Sequence, residues 1–321
     1  MRAVGEKVGQ RYKKELGLLD EVWDPSALAI RSTNSARTIE TALELVNGMY
    51  PRRPRTQPLR VELHAVNAET MYPHSSCSFV GDMYKSFRKS DARQCIKEEL
   101  ASLFDKSDFK SEEEYDFYTR RSLPALCNTL ATLHGHGFPL PQGIRGEHVD
   151  SVCEMSGKEY HAVYGTDRRM TKLGIGRFLG EILDVLKDKV ESDTFSMEDE
   201  KPLGISTVAE RAPPKFMLMS GHDNTIAPLI MSLDLMSGTH PPMGSHLAFE
   251  LYKQTPPSSS SSSSYPTSSP EYFVQTVYNF KPVPLPACGN KLLCPFDDFV
   301  KIVTPRTPAN YHSECDNEKL L

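Results

Sequence analysis

Gly221-His222-Asp223-Asn224 is the stretch of this chain best equipped for chemistry. Ahead of it runs Lys215-Phe216-Met217-Leu218-Met219-Ser220, apolar and short enough for a buried strand. Behind it, Thr225-Ile226-Ala227-Pro228-Leu229-Ile230-Met231-Ser232-Leu233 reads as a helix, with Asp223 or Asn224 near its N-cap. A strand that ends in polar residues at a helix start is where open α/β sheets bind ligands. The exposed N–H groups there favour anions. A His and an Asp together at that point can bind a phosphate and supply a proton. Alone, the stretch fits a helix cap beside a chance histidine equally well.

A second stretch has the same grammar: Leu28-Ala29-Ile30-Arg31-Ser32-Thr33-Asn34-Ser35-Ala36-Arg37-Thr38. An apolar strand runs into cap residues and then a helix whose face is Ile39, Ala42, Leu43, Val46 and Met49. Arg31 stands at the strand's end, where its planar guanidinium matches phosphate oxygens. Read plainly, Arg31 is a surface charge and Ser32 to Asn34 only cap the helix. Arg37 lies inside the helix and reads as a structural or solvated charge.

In that order, with a large insertion between them, the two stretches resemble the histidine acid phosphatases, the larger branch of the histidine phosphatase superfamily. The carriers are the I-R-S-T-x-x-x-R-T pattern at Ile30–Thr38 and the His222-Asp223 pair. Pro241-Pro242-Met243-Gly244-Ser245 and Phe249-Glu250-Leu251-Tyr252 look like the family's strand after the H-D helix. Cys288, Leu293, Cys294-Pro295 and Phe299 look like its cysteine loop. Tyr311-His312-Ser313-Glu314-Cys315, and Met71-Tyr72-Pro73 with Cys77, are similar to the lysophosphatidic acid phosphatase-like members. The resemblance covers nearly the whole chain, loosely in the middle.

The resemblance implies phosphomonoester hydrolysis in two steps, without cofactor or metal. In the family, a histidine in an R-H-G-x-R-x-P motif attacks phosphorus and forms a phosphohistidine. A neutral imidazole is a good nucleophile at neutral or acidic pH. Fixed cations neutralise charge on the transferring group, and a carboxylic acid can protonate the leaving oxygen. Carried onto this chain, Arg31 clamps phosphate, His222 donates to it and Asp223 is the general acid.

No R-H-G-x-R-x-P occurs in the 321 residues. Val4-Gly5, Val8 and Arg11-Tyr12 fit the family helix L-G-x-x-L-R-x-R-Y, which follows that motif. The expectation is a chain that begins partway through that helix, as a fragment or truncated gene product. The strand carrying the motif lies mid-sheet in the family, so its loss predicts neighbours with unpaired backbone. No other histidine replaces the nucleophile. His134-Gly135-His136-Gly137 reads as an exposed loop, and Gly143-Ile144-Arg145-Gly146-Glu147-His148 as a plain loop.

The formal net charge of −5 argues against a nucleic-acid or bilayer surface. No basic run suggests an RNA platform, and no apolar stretch is long enough to span a membrane. No Cys/His spacing matches a zinc signature. Seven cysteines exceed a cytosolic enzyme's needs, although buried thiols remain open for all of them. The resemblance implies Cys288 with Cys294 and Cys77 with Cys315, and leaves Cys127 free because its partner position holds His246. If the bridges form, the chain folds in an oxidising compartment such as the secretory pathway. The lack of an Asn-x-Ser/Thr sequon weakens a glycosylated reading.

The expected fold is α/β: a three-layer sandwich around a mostly parallel sheet, with a helical cap insert. Residues 1–65 and 165–321 carry the core, and 66–164 the cap that tunes substrate choice. The cap shows helices at Asp91–Phe104 and Glu112–Leu133. A long helix follows at Lys172–Val185, and late strands at Phe249–Tyr252 and Tyr272–Tyr278. Residues 255–270, almost all Ser, Thr and Pro, read as a disordered hairpin tip. The alternative is a pseudophosphatase that binds or regulates on a fold without its nucleophile. A mutase of the smaller superfamily branch fits worse, because that branch has a shorter cap and no cysteine loop. The partner is a small phosphomonoester, with lysophosphatidic acid a candidate by likeness to one subgroup.

Overall fold

A computed structural model of the chain describes residues 1–51, 58–73, 77–198, 213–235, 239–254 and 271–316. The Ser/Thr/Pro tract at 255–270 lies outside the described residues. Helix α1 (Arg2–Gly9) continues through a π-helical stretch, Gln10–Glu15. Strand β1 (Leu28–Ser32), helix α2 (Ala36–Met49) and the short strand β2 (Glu62–Leu63) follow.

The sheet that matters for chemistry is parallel, in the order β2-β1-β3, with β3 at Phe216–Ser220. Apolar residues make β1 a largely buried strand and β3 a half-buried one, and their backbone groups must find partners. They find each other: Leu28 lies opposite Phe216, and Ser32 opposite Ser220. Strand β1 is bonded on both sides, whereas β3, at the end of the order, pairs with β1 alone among the described residues. Thr33 N–H donates to Ser220 O at 3.1 Å, which extends the register one residue past the strand. This brings the residues after β1 beside those after β3.

Helix α2 packs its buried residues Ala42 and Val46 against Leu28 and Ile30. Its inner face is turned slightly from expectation: Leu45 is buried, while Ile39 and Leu43 are half-buried. Helix α1 crosses α2 where two glycines meet. A Cβ on Gly48 would strike the carbonyl of Arg2, and one on Gly5 the carbonyl of Leu45.

Two compact units divide the chain. The first comprises Met1–Tyr72, Gly180–His222 and Leu251–Phe273, and the second Pro73–Leu179, Asp223–Glu250 and Val274–Leu321. Helices α3 (Ser78–Arg88), α4 (Asp91–Leu103), α5 (Glu112–Thr119), α6 (Leu123–Gly135) and α7 (Gly146–Tyr164) lie in the second unit. Leu123, Leu126 and Leu130 of α6 pack with Val149, Val152 and Met155 of α7. The single helix expected over 112–133 is two helices, because Pro124 in the first turn of α6 lacks the N–H that would continue α5. Residues 146–148, expected in a loop, open α7, where His148 Nδ1 accepts the Arg145 N–H. His134 and His136 are exposed at the end of α6.

Helix α8 (Arg168–Glu198) is longer than its sequence pattern indicates, and α9 (Asp223–Ser232) follows β3. A second sheet has the order β4-β5-β6, from β4 (Leu247–Gln254), β5 (Glu271–Tyr278) and β6 (Lys281–Val283). Strand β7 (Leu293–Pro295) pairs with β5, and helices α10 (Phe296–Val303) and α11 (Tyr311–Asp316) close the described chain.

Three cysteine pairs stand at bonding distance: Cys77 with Cys315, Cys288 with Cys294, and Cys127 with Cys153. The third corrects the expectation that Cys127 is free. Cys127 on α6 and Cys153 on α7 face each other across the packed helix pair. His246 instead accepts the Phe280 N–H at 3.0 Å through Nε2. Cys95 is free and exposed.

Candidate active site

The end of β1 sends Arg31 inward and leaves Arg37 outside. Arg31 is buried, and its Nη2 donates to Glu69 Oε1 at 2.6 Å and to Thr70 Oγ1 at 2.9 Å. Its Nη1 donates to Glu181 Oε2 at 2.6 Å. Burial works against the charge, but the carboxylates of Glu181 and Glu69 outweigh it and hold the guanidinium above its ordinary pKa. Glu69 Oε1 also accepts the backbone N–H groups of Thr70 and Met71, at 2.8 and 2.9 Å. Arg31 therefore ties β1 to the 69–71 turn and to α8.

Arg37 sits in the first turn of α2 and is exposed. Its Nη2 lies 3.2 Å from Nδ1 of His222. A guanidinium only donates, so Nδ1 accepts and the neutral ring carries its proton on Nε2. That nitrogen is 3.0 Å from Thr33 Oγ1, which is itself 2.8 Å from Thr38 Oγ1. Ser220 Oγ donates to Thr38 O at 2.8 Å and fastens β3 to α2. The Tyr72 ring stands edge-on to the His222 ring, centroids 5.8 Å apart. Burial, then the charge of Glu69, raises the Tyr72 phenol's pKa, which keeps it protonated. The first unit thus presents an exposed cation and an imidazole side by side, on a rigid strand-to-helix corner.

Asp223 is the first residue of α9 and belongs to the second unit. Two donors reach its Oδ2: Asn128 Nδ2 at 3.0 Å, from α6, and Tyr160 Oη at 2.7 Å, from α7. Tyr160 is buried, and burial together with the neighbouring Asp223 charge pushes its pKa far up. His240 stacks on Tyr160, with its Nε2 3.3 Å from Asn128 Oδ1 and its Nδ1 2.9 Å from Ser156 Oγ.

Of the residues picked from sequence, the structure finds His222 beside an arginine and Asp223 held by two donors. Arg31 instead lies in a buried carboxylate cluster, and the arginine beside His222 is Arg37, read above as a structural or solvated charge. Reading α2 from Ala36 would have put Arg37 in its first turn, facing the strand ends. Asn128, Tyr160 and His240 carried no readable signal, since nothing in their spacing ties α6, α7 and the 240 region to Asp223. Among the described residues, no group of three or more His, Cys, Asp or Glu could hold a metal ion. No described helix is long and apolar enough to cross a membrane.

Comparison with known proteins gives a consistent picture. The family described as histidine phosphatase superfamily (branch 2) matches residues 1–279. A Dictyostelium discoideum protein named "Probable acid phosphatase" is 30% identical, over 96% of this chain and 68% of its own length. Human "Lysophosphatidic acid phosphatase type 6" is 26% identical, over 100% of this chain and 68% of its own. Among solved structures, the Citrobacter braakii phytase superposes with a TM-score of 0.62 at 16% identity, covering 98% of this chain and 88% of that one.

Proposed function

The chain belongs to branch 2 of the histidine phosphatase superfamily, and from that footing we propose that it serves acid phosphatase-type hydrolysis of phosphomonoesters through a phosphohistidine. Arg37 and His222 hold the phosphoryl oxygens, and Asp223 is the proton donor. The observation that carries this reading is the 3.2 Å approach of the exposed Arg37 guanidinium to the His222 ring, at the end of two paired parallel strands. A phosphate placed there takes donors from Arg37 and, by displacing Thr33 Oγ1 as the acceptor, from His222 Nε2. Arg31, already engaged by two carboxylates, acts at one remove by fixing the strand end.

The reaction proceeds in two displacements. In the first, a histidine nitrogen forms a bond to phosphorus as the P–O ester bond breaks. The departing oxygen takes the bond's electron pair and a proton from Asp223, and leaves as an alcohol. In the second, water attacks phosphorus, the P–N bond breaks, and the water's proton returns to Asp223. The attacking histidine belongs to an R-H-G-x-R-x-P motif, which the 321 residues do not contain. The three-layer core and the cap at 66–164 are part of the same reading. Asn128 and Tyr160, which reach Asp223, lie within that cap span. Lysophosphatidic acid is the first ester to test, since relatives bear its name.

Phosphate binding tests the anion site without turnover. Isothermal titration of the 321-residue chain with inorganic phosphate should show binding that Arg37→Ala weakens by about ten- to a hundredfold, the worth of a charge-assisted contact at roughly 1.5–3 kcal/mol. An Arg37→Ala chain that is folded and binds phosphate as tightly as the parent would refute the assignment.

A further inference from the structure

Asp223 is gripped from one side only. Both donors, Asn128 Nδ2 and Tyr160 Oη, take the same oxygen, Oδ2. Behind Asn128 stand two more groups in line. The Asn128 amide has donors on one atom and acceptors on the other. With its NH2 turned to the carboxylate, its oxygen faces His240 Nε2 at 3.3 Å. That oxygen only accepts, so Nε2 must carry a proton. The other nitrogen, Nδ1, then accepts from the Ser156 hydroxyl at 2.9 Å. Each assignment forces the next.

We infer that Ser156, His240 and Asn128 form a one-way hydrogen-bond chain that ends on Asp223 Oδ2 and, with Tyr160, positions this carboxyl so that Oδ1 carries the transferable proton. The inference rests on Asp223 being the proton donor of the proposed reaction. Ser156 and Tyr160 come from α7, Asn128 from α6, and His240 from the segment after α9. The disulfide Cys127–Cys153 joins α6 to α7 one residue from Asn128 and three from Ser156, which fixes the spacing. Burial lowers the His240 pKa despite the Asp223 charge, which favours the neutral ring that a defined tautomer needs. Tyr160 stays protonated for the reason already given, and remains a donor. Aligned donors polarise one another, which strengthens the last bond in the line. These are positioning residues, since none of them touches the reacting atoms.

The opposite direction makes an equally complete chain with a different signature. A turned Asn128 amide would accept from a protonated Asp223 and donate to His240 Nε2, which would put the ring proton on Nδ1. Heteronuclear NMR of the 321-residue chain, with 15N-labelled histidine and asparagine, separates the two. The expected result is a His240 ring protonated at Nε2 and bare at Nδ1, with its signals identified by their loss in His240→Gln. One Asn128 Nδ2 proton should lie downfield and lose that displacement in Asp223→Ala. A ring protonated at Nδ1 would overturn the inference, and so would Asn128 amide signals unmoved in a folded Asp223→Ala chain. The tautomer needs no variant beyond the assignment. Neither readout involves turnover, so they can fail while Asp223 remains the proton donor, and the reverse.

Discussion

Two arginines six residues apart do different work at the same corner. Arg31 is enclosed by Glu69 and Glu181, and Arg37 stands outside beside His222. Removing Arg31 leaves the fully buried Glu69 without its cation, a kind of loss that costs roughly 3–5 kcal/mol. Arg31→Ala should therefore lower the thermal midpoint markedly, whereas Arg37→Ala, on an exposed side chain, should leave the melt nearly unchanged. Differential scanning calorimetry of both variants reads this. A mild Arg31→Ala melt would mean the cluster is not holding the strand end. Sequence alone located this corner, because apolar runs broken by cap residues show themselves. It could not say which arginine faces out. That depends on carboxylates 38 and 150 residues away, which no local pattern announces.

At the scale of elements, the strand-to-helix units were legible because their signal is local. β1, β3 and α2 form close to where apolar runs and spacing put them. The α5–α6 break does show in the sequence, where the polar run Thr119-Arg120-Arg121-Ser122 and then Pro124 interrupt the apolar spacing, and reading 112–133 as one helix passes over it. The Cys127–Cys153 bond was missed because it depends on how two helices face each other. Closing a loop of that length is worth about 3–4 kcal/mol in the chain-entropy account. Cys127→Ala with Cys153→Ala should lower stability by a large part of that, as denaturant unfolding would show. Equal midpoints for the parent under reducing and oxidising conditions would contradict it. The α1–α2 crossing is tighter still. Gly48→Ala drives a methyl into the Arg2 carbonyl, and such overpacking typically costs about 1–3 kcal/mol. The chain carrying Gly48→Ala should melt earlier, and an unchanged melt would mean that α1 is only loosely docked.

Across the whole molecule, buried and half-buried imidazoles set a pH dependence. Burial lowers the pKa of His148, His240 and His246 below the ordinary value of 6.5. In the unfolded chain these rings take protons as pH falls through about 6.5, while in the folded chain they resist until lower pH. In that window the unfolded state binds more protons, so stability falls as pH drops, and above it the effect is flat. Glu159, whose pKa burial raises above 4.5, works in the opposite sense as pH rises through its own window. His246 isolates the histidine contribution, because charging it also removes the acceptor for the Phe280 N–H. His246→Gln should therefore flatten the decline in thermal midpoint between about pH 7.5 and 5.5. An unchanged slope would assign the decline to other groups.

The same scale holds the functional claim. Without an R-H-G-x-R-x-P histidine, the 321 residues should hydrolyse p-nitrophenyl phosphate on the order of 10³-fold or more below a normal enzyme rate. The most direct test of the account supplies an R-H-G-x-R-x-P segment and then replaces one atom group, Asp223→Asn. Asparagine keeps the shape of aspartate and an oxygen to accept from Asn128 and Tyr160, but it cannot give up a proton. Turnover of an alkyl phosphate, whose poor leaving group needs protonation, should fall far more than that of p-nitrophenyl phosphate, whose leaving oxygen needs little. Alkyl and aryl rates both equal to the parent's would contradict Asp223 as the proton donor and, with it, the reading of this corner as a phosphoester site.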